Sequence, residues 1–563
     1  MRFANVAWDV LPSDPERAAM LAKACGVDPL IGQLLLNRGV SHPTEARHFL
    51  APDFQALDDP LKLPEMAKAV ARIRKAIKTT QPILVFGDAD VDGVTASALV
   101  YELLTTLARP GKSKRRAGGA KVIVRLSNRL EDGYGFPRAL IRPLIRLGIR
   151  LLILVDCGTN QPEEIEALAR HGIETIVLDH HVPTPQAARP FALVNPAQGS
   201  GAGHELCSVG LALKLAQAMC PDDEAGVMRY LDLTVLGTLA DHAPLIGDNR
   251  ILVASGLARI LQTPRPGLKQ LCEAVAMTKP TPQQILQRLV PRLNAAGRLG
   301  NPRPVWRLLV EPSAQIADRL VDVLGEAHAK TKALHRRIQA EAHEQVNRIH
   351  FKDQYVVVVG QRGWHPGLMG PLASQLLERY ARPAIAIAWD ERIGVGSGRS
   401  TSVFNLFEAL RACEGVLLRY GGHPQACGLT LKLANLETFR EQINRHAHAA
   451  LGRHRLVPRL TIDLELTLRE VTTSFVSALE HFKPFGPGNP RPLILLRRLA
   501  LERNPAGATW VTDGRTTRLR TRGGLAGLLS AERYDVVTSP ALVEGRVVLS
   551  ICDARISSAA QNL

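Results

Sequence analysis

Asp88, Asp90 and Asp92 stand at every second position of GDADVDG, directly after the apolar run Ile83–Phe86. Alternate side chains of an extended chain project to one side, so these carboxylates can converge. Adjacent anions repel one another unless a cation lies between them. Two further apolar runs end in the same residue type: RLLILV runs into Asp156-Cys157-Gly158, and ETIVL into Asp179-His180-His181. Another acidic motif, Asp241-His242, closes the helix-like segment YLDLTVLGTLADHAPL. A lone Asp after a strand is ordinarily a helix cap. Acidic motifs repeated on strand ends are better explained by a metal site. Carboxylates with one or two imidazoles and no thiolate favour Mn²⁺ or Mg²⁺ over structural zinc. The excess of carboxylates over what one ion needs favours two ions sharing a ligand.

The elements that must position these residues alternate between strand and helix. Ile83–Phe86, Lys121–Leu126, Arg150–Val155 and Glu174–Leu178 are apolar and strand-like, with amphipathic stretches between them, which predicts a parallel sheet covered by helices. Ligands of such sheets bind at the carboxyl ends of the strands, where the aspartates stand. The segment Arg109–Lys121 is basic and Gly-rich and reads as an exposed loop, with Lys112, Lys114, Arg115 and Arg116 free either to meet phosphates or simply to be solvated. From Ser313 to Ile349 apolar residues recur at helical spacing, predicting one connecting helix of roughly 50 Å. A second α/β pattern follows, with strands Tyr355–Gly360 and Ala384–Trp389. After Pro458 the alternation RLTIDLELTL and VVLSICDARI indicates an antiparallel β domain.

The chain has 563 residues, enough for several cores, and a formal net charge of +17. A polyanionic partner is the natural inference. No apolar run approaches the ~18 residues needed to span a bilayer, and the start MRFANVAWDVLPSDPERAAM shows no secretory signal, so a cytoplasmic protein is expected. The eight cysteines are scattered without a CxxC pair, as expected of reduced and mostly buried thiols.

At this point the residues resemble the DHH superfamily, whose name is the triplet Asp179-His180-His181, and within it the RecJ branch. The resemblance rests on LLNRGV (35–40), GDADVDG (87–93), NRLEDGYGF (128–136), VDCG (155–158), LGTLAD (236–241), PRLNAAGRLG (291–300), GWHPG (363–367), GSGRS (396–400), GGHPQACG (421–428) and PFGPGNP (484–490). It covers nearly the whole chain, and the number and order of motifs make it specific. It implies an α/β fold in which a DHH parallel-sheet domain (81–312) is joined by a long helix (313–350) to a DHHA1 α/β domain (351–452), with an OB-like β domain (453–563) and an N-terminal extension (1–80) packing on the DHH domain.

The resemblance also implies site residues. Asp90, Asp92, Asp156, His180 and Asp241 would be metal ligands, with Asp156 the bridge; Asp156, His180 and His181 would form the catalytic group, His181 touching the substrate phosphate. The family's usual histidine position holds Phe86, with Asp88 as the substitute ligand. Arg129, Asn294, Arg298, Ser397, Arg399 and His423 would grip phosphates, the last three through Gly-rich turns. For Arg129 the alternative is a pair with Glu131 or Asp132. The implied activity is a 5′→3′ exonuclease specific for single-stranded DNA, acting with two Mn²⁺ or Mg²⁺ ions in DNA repair and recombination. A single-strand-binding protein and a helicase are the implied partners of a monomer that has no membrane association. The rival readings are a DHH-type oligoribonuclease or cyclic-dinucleotide phosphodiesterase, and a non-catalytic replication scaffold.

Overall fold

The computed structural model describes residues 6–109, 120–199, 203–349, 351, 354–452, 457–503, 509–514, 518–522 and 533–557. Lys112, Lys114, Arg115 and Arg116 of the expected basic loop lie outside them. Two compact units result: Met1–Leu57 with Pro244–Ser255 and Val457–Leu563, and Asp58–Ala243 with Gly256–Leu456.

The second unit holds the acidic motifs. Strands Ile83–Gly87, Val122–Leu126, Leu151–Val155, Glu174–Leu178 and Ala192–Val194 form one sheet in the order second, first, third, fourth, fifth. All run parallel, and Gly87 pairs with Leu126 and Val155, Val155 with Leu178, and Leu178 with Val194. The strands therefore end level, so that Asp88, Asp156 and Asp179 leave the sheet along a single edge. Leu84, Phe86, Leu152 and Leu154 face a core with helices Ile141–Arg146 and Pro162–Arg170. The helix Val91–Ala108 covers the opposite face, so close that a Cβ on Gly87 would come within 1.9 Å of Ser97 Oγ. The sequence showed no apolar run of membrane-spanning length, yet this helix has 18 residues and a mean hydropathy of 1.2. Its apolarity has another cause: 67% of it is buried within the protein, under the sheet and against helices Ser208–Met219 and Leu231–Ala240.

The expected connecting helix is Ala314–Asn347, started by Ser313, whose Oγ accepts from the Ile316 N–H at 3.4 Å. Leu324, Thr331 and Ile338, seven apart, form its buried seam. Its first half packs on helices Pro266–Ala274, Val290–Arg298 and Arg303–Val310. Further along, Ile338, Ala342 and Val346 enter the core of a second sheet. That sheet is mixed: Val357–Arg362 and Ala384–Trp389 are parallel, while Ile393–Arg399, Ala426–Lys432 and Leu417–His423 continue it antiparallel. GSGRS and GGH, expected as turns, thus lie within strands, and the glycines serve close packing: a Cβ on Gly398 would meet Leu406 Cδ2 at 2.6 Å.

In the other unit, strand Ile494–Arg503 pairs with both Thr509–Thr512 and Arg533–Val543. Arg518–Arg522 and Arg546–Ile556 complete the ring, which closes a barrel. The N-terminal segment divides where the sequence showed no break. Helices Pro15–Cys25 and Pro29–Asn37 share a core with the barrel through Leu21, Ile31, Leu34, Phe475 and Val536, so 1–57 form a unit with the C-terminal domain. Residues 58–80 belong with the parallel sheet: helix Met66–Lys78 packs on Ala192–Val194, and Glu65 Oε2 accepts from the Leu193 N–H at 2.6 Å. An amphipathic helix announces its apolar face but not what covers it.

Arg250 ties three segments of this unit together. Its buried guanidinium donates to the carbonyls of Phe49, His481, Phe482 and Lys483 at 2.8–2.9 Å and lies over the Phe49 ring at 3.9 Å. Arg250→Leu takes the donor from the carbonyls of Phe49, His481 and Lys483, while the Phe482 carbonyl keeps Asn489 Nδ2 at 2.6 Å, and denaturant unfolding is expected to show a loss on the order of 3 kcal/mol in this unit. A loss below about 0.5 kcal/mol would show that water replaces the guanidinium.

Candidate functional site

Each acidic residue reaches the site by its own device. Asp90 caps the helix Val91–Ala108, its carboxylate accepting from the Gly93 N–H at 3.1 Å. Asp92, in the first turn of that helix, is buried and accepts from the backbone N–H groups of Ser208 and Val209 at 2.8 and 2.9 Å. Those are the first amides of the helix Ser208–Met219, whose positive end suits a carboxylate. Asp156 is held at φ 64°, a left-handed conformation that side-chain-bearing residues rarely adopt, while its N–H stays in the sheet pattern by donating to Leu178 O at 3.0 Å. Its Oδ1 accepts from Ser208 Oγ at 2.9 Å. Asp241 ends the helix Leu231–Ala240. Gly237 of that helix permits the approach, because a Cβ there would come within 3.0 Å of Asp92 Oδ1.

His180 stands at the centre. Its Nε2 lies 3.4 Å from Asp156 Oδ1, 3.9 Å from Asp241 Oδ2 and 4.0 Å from Asp92 Oδ2. Potential ligand atoms fall into three groups, each within 4.8 Å: Asp88, Asp90 and Asp156; Asp156, His180 and His181; and Asp92, Cys207 and Asp241. Asp156 belongs to two of them, the position a bridging ligand requires. Burial, then the neighbouring carboxylates Asp90 and Asp92, push Asp156 well above the usual range. Asp241 is pushed up to about 7, mainly by burial, with Asp92 and Asp90 adding to it. Burial lowers His180, but Asp156, Asp241 and Asp92 more than offset it. So many buried anions fit divalent cations, and the oxygen-rich donor set suits Mn²⁺ or Mg²⁺. Burial keeps the Cys207 thiol protonated.

Asp88 is engaged differently. It accepts from Ser127 Oγ at 2.6 Å and from Arg129, through Nε at 3.1 Å and through Nη2. Arg129 also reaches Asp90 Oδ2 at 2.9 Å. It pairs with neither Glu131 nor Asp132, because strand Val122–Leu126 ends level with Ile83–Gly87 and sets Arg129 beside Asp88. Phe86, at the family's usual histidine position, packs edge-to-face on Phe136 in the core, centroids 5.2 Å apart.

The second sheet brings basic side chains towards this centre. Arg399 and His423 sit at one end of the second sheet, both in register with Ala426. Arg399 Nη1 donates to Ser397 Oγ at 3.0 Å. A Cβ on Gly370, in the first turn of helix Met369–Tyr380, would lie 3.2 Å from Arg399 Nη2, so that helix start faces the same spot. Arg298, half-buried at the end of helix Val290–Arg298, makes no ion pair or hydrogen bond among the described residues; burial, then Arg129 and Arg399, lower it. Three guanidiniums gathered this closely call for an anion. Asn294 stands one turn before Arg298 on the same helix. The His423 ring stacks on His181, centroids 5.6 Å apart and planes 12° from parallel. His181 Nδ1 is bound to Asp179 Oδ1 at 2.6 Å, which turns its other nitrogen outward.

Ser208 and Tyr134 went unnoticed in the sequence. Ser208 clamps Asp92 and Asp156, but LCSVG reads as an ordinary helix start. The exposed Tyr134 ring lies against the Arg129 guanidinium at 4.6 Å. Its position between Gly133 and Gly135, both at positive φ, was the available signal.

The chain matches the DHH family, N-terminal domain, over residues 82–238, the DHHA1 domain over 352–449 and the RecJ OB domain over 462–520. It is 32% identical over 512 residues to the single-stranded-DNA-specific exonuclease RecJ of Bacillus subtilis, covering 89% of this chain but 63% of that protein. With the exonuclease of the same description from Dickeya dadantii, identity is 31% over 524 residues, 86% of this chain and 88% of the relative. The chain therefore spans less than two thirds of one curated relative and most of another. The crystal structure of RecJ in complex with Mn²⁺ from Thermus thermophilus superposes with a TM-score of 0.83 at 28% identity, covering 99% of this chain and 81% of that one. The corresponding Mg²⁺ complex gives 0.76 at 27% identity, covering 98% and 79%.

The His181–Asp179 pair can be tested without substrate. Burial raises Asp179, but His181 more than offsets this and holds the carboxyl below its usual range; burial lowers His181, but Asp179 holds it above its own. The pair therefore stabilises most between the two titrations. That stability is lost below as Asp179 takes up a proton, and above as His181 gives one up. In Asp179→Asn the His181 ring is expected to titrate at lower pH by NMR. An unshifted His181 titration would remove the ion pair from the account of the site.

Proposed function

Because this chain belongs to the RecJ family of DHH phosphoesterases, we propose that it is an exonuclease that degrades single-stranded DNA from the 5′ end, releasing mononucleotides by metal-dependent phosphodiester hydrolysis. The observation that carries this reading is the unpaired Arg298 gathered with Arg129 and Arg399 beside a buried carboxylate centre: an anion site next to a cation site. A phosphodiester needs both.

In this reading Asp90, Asp92, Asp156, Asp241 and His180 hold two Mn²⁺ or Mg²⁺ ions, with Asp156 shared. The ions would supply an activated water and offset the charge that builds up on the phosphoryl oxygens. Asp88, its oxygens already taken by Ser127 and Arg129, is better placed to orient Arg129 than to act as the substitute ligand. Asp179 fixes the tautomer of His181, so that the outward nitrogen can meet a phosphate oxygen. Arg129, Ser397 and Arg399, with the start of the helix Met369–Tyr380, make a pocket for a terminal 5′-phosphate, and Asn294, Arg298 and His423 hold the next phosphate. Arginine suits such a pocket because its planar fork can hold two oxygens at once. In this reading the strand lies between the edge of the first sheet and the end of the second, gripped by these phosphate contacts, and a clamp of this kind admits one strand and excludes a duplex. The same reading includes a monomer acting in the cytoplasm in DNA repair and recombination, on strands that a helicase and a single-strand-binding protein expose.

A strand labelled at one end or the other, incubated with Mn²⁺, is expected to be digested from its 5′ end. Degradation from the 3′ end, or a preference for dinucleotides over long strands, would overturn the assignment in favour of another DHH phosphodiesterase. Asp156→Ala should lower turnover more than about a hundredfold, beyond the usual effect of a residue that only supports a metal ligand, while strand binding persists. Arg399→Ala should weaken the preference for a 5′-phosphate by about tenfold or more, the value of a charged hydrogen bond. An equal loss on phosphorylated and unphosphorylated strands would show that Arg399 does not read the end.

A further inference from the structure

The connecting helix carries a second row of basic side chains, for which the chemistry above has no use. His328, Lys332 and His335 stand at i, i+4 and i+7 on Ala314–Asn347, so they share one face and span about 10 Å along it. That face lies along the helix Val290–Arg298. The His328 ring stands near the Pro291 carbonyl and near Arg292, Lys332 and Arg298, while His335 stands near Arg298. The two helices thus run side by side in the same direction, with histidines and arginines facing each other at both ends. Burial and then these cations hold both imidazoles below the usual histidine range, and no carboxylate contributes to either. Lys332 is exposed, whereas Arg292, His328 and His335 are half-buried. His335 Nε2 is buried and has no hydrogen-bond partner among the described residues.

A purely structural seam is poorly served by such residues. Leu324, Thr331 and Ile338 already form the packed stripe of this helix, and an imidazole next to it leaves a buried nitrogen unsatisfied where a leucine would not. The cations Arg298, Arg292 and Lys332, with two uncharged imidazoles set among them, instead suit a linear polyanion. We propose that His328, Lys332, His335 and Arg292 form an outer phosphate track, which leads from Arg298 away from the carboxylate centre and holds the backbone of the strand beyond the nucleotide being cut. The inference rests on the reading of the substrate as a strand. The track contacts phosphate and not base edges, so it adds affinity without sequence preference.

The test measures binding of a long, labelled single strand with Ca²⁺ in place of Mn²⁺, as a function of salt, together with cleavage of a dinucleotide in Mn²⁺. Lys332→Gln changes an exposed residue, and should reduce the slope of log K against log salt by about 0.7, the share of one phosphate on a single strand. His335→Leu should weaken long-strand binding several-fold while leaving thermal stability unchanged or higher, an outcome opposite to that of a structural histidine. Both variants should cleave the dinucleotide as the wild type does, because so short a ligand ends before the track. An unchanged salt slope in Lys332→Gln, or a dinucleotide affected as strongly as the long strand, would overturn the track. The exonuclease reading is judged separately on the wild type: a wild type that degrades no strand, but whose salt slope still falls on Lys332→Gln, overturns that reading and leaves the track standing.

Discussion

Asp92, Asp156 and Asp241 surround one imidazole and Asp90 stands beside Asp156, and like charges so crowded repel strongly where burial limits the screening by solvent. The surrounding structure bears the marks of holding this group together. The Ser208–Met219 helix aims its first amides at Asp92, Ser208 clamps Asp156, and Asp156 accepts a left-handed backbone to reach its place. The parallel register, which ends the strands level, makes such convergence possible. Divalent cations relieve what remains, so the donor set and the ions it suits are two sides of one electrostatic requirement.

The positive half of the site follows from a different constraint. Arg129 belongs to the first sheet, Arg399 to the second, and Arg298 to a helix on which the connecting helix packs. Bringing three guanidiniums together is unfavourable unless an anion enters, and Asp88 with Asp90 neutralises only Arg129. The connecting helix is therefore more than a spacer. Its buried seam fixes the second sheet relative to the first within this unit, and with it the place of Arg399 and His423. A separate economy operates in the barrel unit, where one arginine satisfies carbonyls from segments far apart in the chain.

Much of the acidic half was legible in the sequence because each piece is local. An apolar strand ending in Asp declares its sheet edge, and the same pattern in 83–88, 150–156 and 174–179 requires only that the strands be neighbours. The long helix was legible for the same reason, its period being written in every turn from Ser313 onward. Less was legible where apolarity had several explanations. Val91–Ala108 is apolar because it is enclosed by sheet and helices, and 1–57 share their core with the C-terminal barrel although nothing in their pattern specifies that surface. GSGRS and GGH resembled turns because glycine has no side chain, yet here that absence lets strands and helices approach.

The sequence by itself determined the ligand types, their order along the chain and the kind of ion they suit, since these depend on residue chemistry and on spacing within single elements. Tertiary structure decided who meets whom. Arg129 could as well have paired with Glu131 or Asp132, two and three residues on, but strand register set it on Asp88 and Asp90. Ser208 and Tyr134 became parts of the site only through a helix start and a loop brought to the sheet edge from far away in the chain. Partnership between distant side chains is a property of distance in space, and no local period or motif encodes it.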